Sequence, residues 1–188
     1  YLGGGINKSK NSIGVIQGYI EFLNILEKKN NIQKNKAPYL VIAGGKFQDK
    51  TKREVKEMYD LIEKENIQNN VLFTGFYEDN QKYSLLKNSF AFIHLSMYEG
   101  FGFSPIEALR TKIPTIIHPN PVYIELFKQV SNMVDGNKSK EVGELIYSIY
   151  TNPNKYKEKI EKGYNLSLKY TWQNTAKITH DVFKKVLE

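Results

Sequence analysis

Short apolar runs alternate along this chain with longer stretches in which apolar residues recur every three or four positions. The runs are YLVIA at 39–43, VLF at 71–73, FAFIHL at 90–95 and TII at 115–117. Brief runs of this kind, bounded by turn residues and rich in β-branched and aromatic side chains, predict strands of a parallel sheet covered on both faces. Between them, Ile13, Ile16, Ile20, Leu23 and Ile25, and then Val55, Met58, Leu61 and Ile62, fall at helical spacing, which predicts crossover helices. Beyond Pro121 no further strand is evident. Residues 145–149, 156–168 and 174–187 read as helices, with Asn152-Pro153-Asn154 as a break, and KKNNIQKNK at 28–36 reads as a solvated loop. The pattern predicts an α/β fold: a Rossmann-like parallel sheet with helices on both faces and a helical C-terminal third.

Composition narrows the picture. The 188 residues suit one domain, 1–188, with a sizeable core, and 40% hydrophobic with 25% charged residues is ordinary globular usage. No apolar run is long enough for a membrane span. Without cysteine there is neither a disulfide framework nor a thiolate metal site, which suits a cytoplasmic setting. The net charge of +7 favours anionic partners, but the lysines are scattered over helical faces and form no stripe interleaved with stacking aromatics, so nucleic acid is not an expected partner. The chain opens on a strand-like Tyr1-Leu2 running into Gly3-Gly4-Gly5, with no initiator Met or signal peptide, and reads as an excised domain.

In open parallel sheets, ligands lie beyond the carboxyl ends of the strands. The segments there are GGGINKSK, AGGKF, TGFYED and SMYEGFGFSP, glycine-rich where a backbone must approach a phosphate-bearing ligand. Glycine pairs before a helix start leave N–H groups and the positive helix end open to an anion. This makes Gly100, Phe101, Gly102, Phe103 and Ser104 candidate ligand contacts. Glu99, on the rim, suits hydroxyls of a polyol beside the phosphates. Ser104-Pro105-Ile106-Glu107 also meets the pattern of a capping box with Ser104 at the N-cap, so Glu107 is either a cap or a second hydroxyl acceptor. His94, at the end of a buried strand, reads as a core or rim histidine in preference to a catalytic one. With His94, His118 and His180 alone, no metal-ligand spacing is present. Lys8 occupies the place of the third glycine of a dinucleotide fingerprint, which disfavours a nicotinamide enzyme.

The spacing of Glu99 and Glu107 around GFG resembles the signature of the retaining GT-B glycosyltransferases of the glycosyl transferases group 1 family. YLGGGINKSKN is similar to that family's opening strand and glycine loop, YLVIAGG to its second strand, VLFTGFYED to its base-binding loop, and SFAFIHLSMYEGFGFSPIEALRTKIPTII to its core block. The resemblance implies the C-terminal, donor-binding half of a GT-B fold, with an N-terminal acceptor domain outside this chain. It implies that Glu99 meets the donor sugar, Glu107 the ribose, and Lys10 the diphosphate, with Glu99 and Lys10 as the catalytic pair. Gly4 and Gly5 of the opening loop, and Gly75, Phe76 and Tyr77 around the nucleobase, complete the implied site. Phe76 and Tyr77 read equally well as ordinary strand-end packing. Many members carry an arginine where Gly4 stands; Lys8 is the neighbouring cation, and Lys46 has no implied role.

The expected function is therefore retaining transfer from a UDP- or GDP-sugar to a glycan or lipid-linked acceptor, without metal or other cofactor, at the cytoplasmic side and with possible peripheral contact at the inner face of the membrane. The alternative is a non-catalytic nucleotide- or glycan-binding module on the same fold.

Overall fold

The computed structural model describes residues 6–187; the opening strand expected at Tyr1-Leu2, and Gly4 and Gly5 with it, lie outside them. The first helix, α1 (Ser12–Asn30), starts where Asn11 adopts a left-handed conformation (φ 50°) and its side chain accepts the Gly14 N–H at 3.1 Å. This caps one of the donors a helix start leaves over. Val15, Ile16, Tyr19, Ile20, Phe22, Leu23 and Leu26 are buried, a wide apolar stripe at helical spacing. The helix ends at Asn31, again left-handed (φ 54°), so the predicted lysine-asparagine loop begins three residues later than expected, after Lys28, Lys29 and Asn30.

Strands β1 (Leu40–Ile42) and β2 (Val71–Phe73) pair in parallel, Leu40 beside Val71 and Ile42 beside Phe73, with α2 (Arg53–Lys64) connecting them. After α3 (Asp79–Lys87) come β3 (Phe92–His94), α4 (Phe103–Arg110), β4 (Thr115–Ile117), α5 (Pro121–Phe127) and β5 (Asn132–Met133). Strands β3, β4 and β5 form a second parallel sheet in that order. Every residue of β3 and β4 is buried, as expected of strands covered on both faces. One core joins the two sheets, running from Leu40, Ile42 and Val71 through α1 to Ile93, Leu95 and Ile116.

The C-terminal third is helical: α6 (Ser139–Thr151), α7 (Lys157–Ser167) and α8 (Trp172–Leu187). Helix α6 crosses α1 through small residues. A Cβ on Gly18 would run into Val142, and one on Gly143 would stand 2.5 Å from the Glu21 Cβ. Helix α8 buries none of its residues; Trp172, Ile178, Phe183 and Val186 are exposed.

The α/β class, the parallel pairing and the helical end agree with the sequence reading. Three details differ. Hydrogen bonding divides the described strands into two sheets. The runs at 39–43 and 90–95 contribute only three strand residues each. Strand β5, two residues long and containing the polar Asn132, offers no apolar run to detect.

Candidate functional site

The loop between β3 and α4 meets the turn 8–10 at one end of the second sheet. Met97 N–H donates to the Ser9 carbonyl at 2.7 Å, and the Ser96 hydroxyl lies 3.2 Å from the same oxygen. Asn120, the N-cap of α5, donates its Nδ2 to the Ser96 carbonyl at 2.9 Å while its Oδ1 accepts Tyr123 N–H. Asn11 Nδ2 donates to the Gly136 carbonyl, and the Gly136 N–H donates to His118 Nδ1 at 3.1 Å. Burial pushes the His118 pKa down, an effect that Asp135 partly opposes; an imidazole that accepts from Gly136 has to be neutral at Nδ1.

At the centre stands Glu99. Lys10 Nζ lies 2.6 Å and His94 Nε2 2.9 Å from its Oε1, and the carboxylate side chain is 16% exposed. Burial alone would raise its pKa, but hydrogen bonds from His94, Lys10 and Ser96 outweigh burial and hold it down at about 2. Glu99 is therefore ionised at any physiological pH. It can accept hydrogen bonds and balance positive charge, but it has no proton to give.

Lys10, His94, Glu99, Gly100, Phe101, Gly102, Phe103, Ser104, Pro105 and Tyr123 enclose a cavity of about 400 Å³. A Cβ on Gly100 would meet nothing within 4 Å, so this glycine borders open space. Gly102 is different. Its φ of 116° and the nearness of Tyr123 and Phe127, 2.8 and 2.9 Å from a Cβ built there, both demand glycine.

Gly102, and not Ser104, is the N-cap of α4. Ser104 and Pro105 occupy the second and third helical positions and no side chain caps the helix, so of the two readings of Glu107 the capping box is absent. The glycine's left-handed backbone starts the helix two residues early. The first N–H groups of α4 thus lie beside the cavity without a side-chain cap, and an anion is a suitable acceptor for them. A capping box does occur at α3, where Glu78 N–H donates to Gln81 Oε1 at 2.8 Å.

Released from capping, Glu107 accepts from Lys82 Nζ at 2.7 Å, and Asp79 lies 3.2 Å from the same ammonium. Burial lowers the Lys82 pKa, but the two carboxylates outweigh it and raise it. Glu107 borders a separate cavity of about 770 Å³ with Phe101, Phe103, Arg110, Tyr170 and Trp172. The nucleobase candidates are apart from both. Gly75 adopts φ 69° against the Gln48 side chain. Phe76 is 85% exposed, and Tyr77 packs on the Ala43, Leu86 and Phe92 cluster beside a cavity of about 500 Å³.

The structure thus brings Lys10, Glu99 and 100–104 around one cavity, with Glu107 at a second and Phe76 and Tyr77 at a third. Sequence reasoning gave His94 to the core without its carboxylate partner, and missed Lys82 altogether. A histidine closing an apolar strand five residues before an acidic residue was the available signal for the first. Lys82 sits on a helix the apolar pattern did not reveal. Among the described residues, no group of three or more His, Asp or Glu side chains is disposed to hold a metal ion, and no helix is long and apolar enough to cross a membrane.

Among proteins of known function, the chain is 26% identical over 118 residues to the serotype-specific mannosyltransferase WbdA of Escherichia coli, covering 63% of this chain and 14% of that protein. It is 25% identical over 186 residues to sucrose synthase isoform 2 of Daucus carota, covering 89% and 22%. Among solved structures, a glycosyltransferase from Rickettsia africae superposes with a TM-score of 0.81 at 15% identity, over all of this chain and 47% of that one. HepE of Anabaena in complex with UDP and glucose does so with a TM-score of 0.76 at 16% identity, over 98% and 47%. At these identities the structural likeness speaks for the fold. The chain spans under a quarter of these curated relatives and about half of the structural neighbours. The model of the family described as "Glycosyl transferases group 1" matches residues 15–166, and the chain belongs to that family.

Proposed function

We propose that this chain is the donor-binding part of a retaining glycosyltransferase that takes a nucleoside-diphosphate sugar and passes the sugar to a glycan or lipid-linked acceptor bound by a further N-terminal domain. One observation carries the reading: a permanently ionised carboxylate, Glu99, stands beside Lys10 and an uncapped glycine-started helix at the rim of one cavity. Lysine and helix N–H groups suit a diphosphate, and the carboxylate suits sugar hydroxyls. The UDP and glucose bound by HepE fit this assignment.

The low pKa of Glu99 limits its part in the chemistry. It is no general acid, and two hydrogen-bonded cationic or N–H donors blunt it as a nucleophile. Its role is to orient the sugar and to balance positive charge developing on the ring. Deprotonation of the acceptor then falls to the donor's own leaving phosphate, as the family resemblance implies, and anomeric configuration is retained. Glu107 holds the ribose, and 75–77 border the base. The protein works at the cytoplasmic side, with peripheral membrane contact when the acceptor is lipid-linked.

Calorimetry of UDP, GDP and their sugars in the presence of EDTA tests the reading. Saturable binding without metal is expected, since Lys10 and the helix start supply the positive field. Binding of none of them, or binding only after magnesium or manganese is added, would overturn it.

A further inference from the structure

His94 is buried, with 2% of its surface exposed, at the end of the otherwise apolar strand β3. An imidazole in such a place costs stability unless its nitrogens are used. The ring lies parallel to Phe92, 6.0 Å between centroids, and tilted against Tyr123 at 6.2 Å, so packing fixes its plane. Its Nε2 lies 2.9 Å from Glu99 Oε1. Because an ionised carboxylate only accepts, the hydrogen between them belongs to His94. Lys10 reaches the same oxygen from a different segment, the turn 8–10. The two donors differ in freedom: Lys10 hangs on a flexible stem at the cavity rim, and His94 is clamped between two rings.

From this difference we infer that His94 is the positioning residue of the sugar subsite: it keeps the Glu99 carboxylate in place while Lys10 turns from Glu99 to the donor's diphosphate. The inference rests on the donor-site reading above. Without the His94 bond, Glu99 would follow the lysine or turn outward once a phosphate competes for the ammonium. The nucleoside diphosphate would still bind, and the sugar would lose its acceptor. His94 therefore governs the increment in affinity that the sugar adds to the nucleotide. A purely structural histidine would instead affect nucleotide and nucleotide-sugar alike.

Two substitutions separate these roles. His94→Phe keeps a ring between Phe92 and Tyr123 but removes the N–H, and His94→Gln returns an N–H near the position of Nε2. The probes are the tightest binder among UDP-glucose, UDP-N-acetylglucosamine and GDP-mannose, together with its bare nucleotide, each titrated by calorimetry. For His94→Phe the nucleotide-sugar should bind about tenfold more weakly while the bare nucleotide stays within about twofold. His94→Gln should recover most of the loss. A second measurement needs no ligand: the Glu99 carboxyl, followed by carbon NMR, should titrate at higher pH in His94→Phe, since Lys10 and Ser96 are then its remaining donors. An unchanged Glu99 titration, equal losses for sugar and bare nucleotide, or a His94→Gln no better than His94→Phe would each overturn the inference. If the wild type binds none of the probes, the donor-site reading falls and the sugar role of His94 falls with it, while the ligand-free titration still decides whether His94 holds Glu99.

Discussion

Lys10 and Glu99 reach one another at 2.6 Å, with side chains 15% and 16% exposed, so neither can be changed without consequence for the other. Lys10→Ala should weaken nucleotide binding about tenfold or more, the loss of a charge-assisted contact worth roughly 1.5 to 3 kcal/mol. It should also lower the melting temperature, because a half-buried carboxylate loses a partner. Unaltered affinity would mean that Lys10 serves Glu99 and not the diphosphate. Glu99→Gln should leave bare nucleotide binding intact while strongly reducing transfer in the complete enzyme, and Glu107→Gln should weaken the bare nucleotide through the ribose. Since Glu107 pairs with Lys82 and caps nothing, its substitution should barely change the melting temperature. Equal effects of both variants on nucleotide affinity would defeat the division of sugar and ribose between them. Acidity supplies another check. The folded state holds Glu99 at about 2 against an ordinary 4.5, so its stabilising contribution is complete above about pH 4.5 and is lost as pH falls toward 2. Glu99→Gln should flatten the melting temperature over that window, and an equally steep decline in the variant would mean that other carboxylates dominate.

At the level of elements, the two glycines of GFG have opposite needs, and alanine tells them apart. Gly102→Ala forces a Cβ into Tyr123 and Phe127 at a φ of 116°, which should cost on the order of 2 to 4 kcal/mol. Gly100→Ala meets no obstacle, so the chain should fold normally while the cavity rim narrows and nucleotide affinity drops. A stable Gly102→Ala, measured by thermal unfolding, would contradict the left-handed N-cap. These positions also mark where the sequence was readable. The apolar runs at 71–73 and 115–117 and the stripe from Ile13 to Ile25 showed the strands and first helix because burial on one or both faces leaves a period in the residues. The glutamates and glycines of the site were readable because their types and spacing are chemically unusual. The start of α4 was misread, since Ser-Pro-x-Glu satisfies a cap pattern and only the backbone of Gly102 decides otherwise. Helices α3 and α5 were missed: α3 buries little beyond Leu86, and α5 is seven residues long. The pairing of Lys82 with Glu107 depends on which elements the fold brings together, and no local pattern records that; His94 and Glu99 lie five residues apart, and there the local signal went unread.

For the whole molecule, the crossing of α1 and α6 joins residues more than a hundred positions apart. Gly18 admits Val142, Gly143 rests on Glu21 and Phe22, and the Phe22 ring meets Tyr150 edge-on at 5.7 Å. Gly18→Val should therefore separate the two helices and destabilise the entire core, read as a lowered midpoint in urea; an unchanged midpoint would mean that the crossing is loose. The same crossing bears on how the chain is made. A ribosome releases α1 long before α6 exists, and loop closure over so many residues is slow. Until residues near 143 emerge, the part of α1 around Gly18 and Phe22 lacks its covering helix, a sticky surface open to chaperones and to neighbouring nascent chains. Chains arrested before Ser139 should accordingly aggregate or be retained by chaperones, and release of soluble, protease-resistant protein should begin only once α6 has been synthesised.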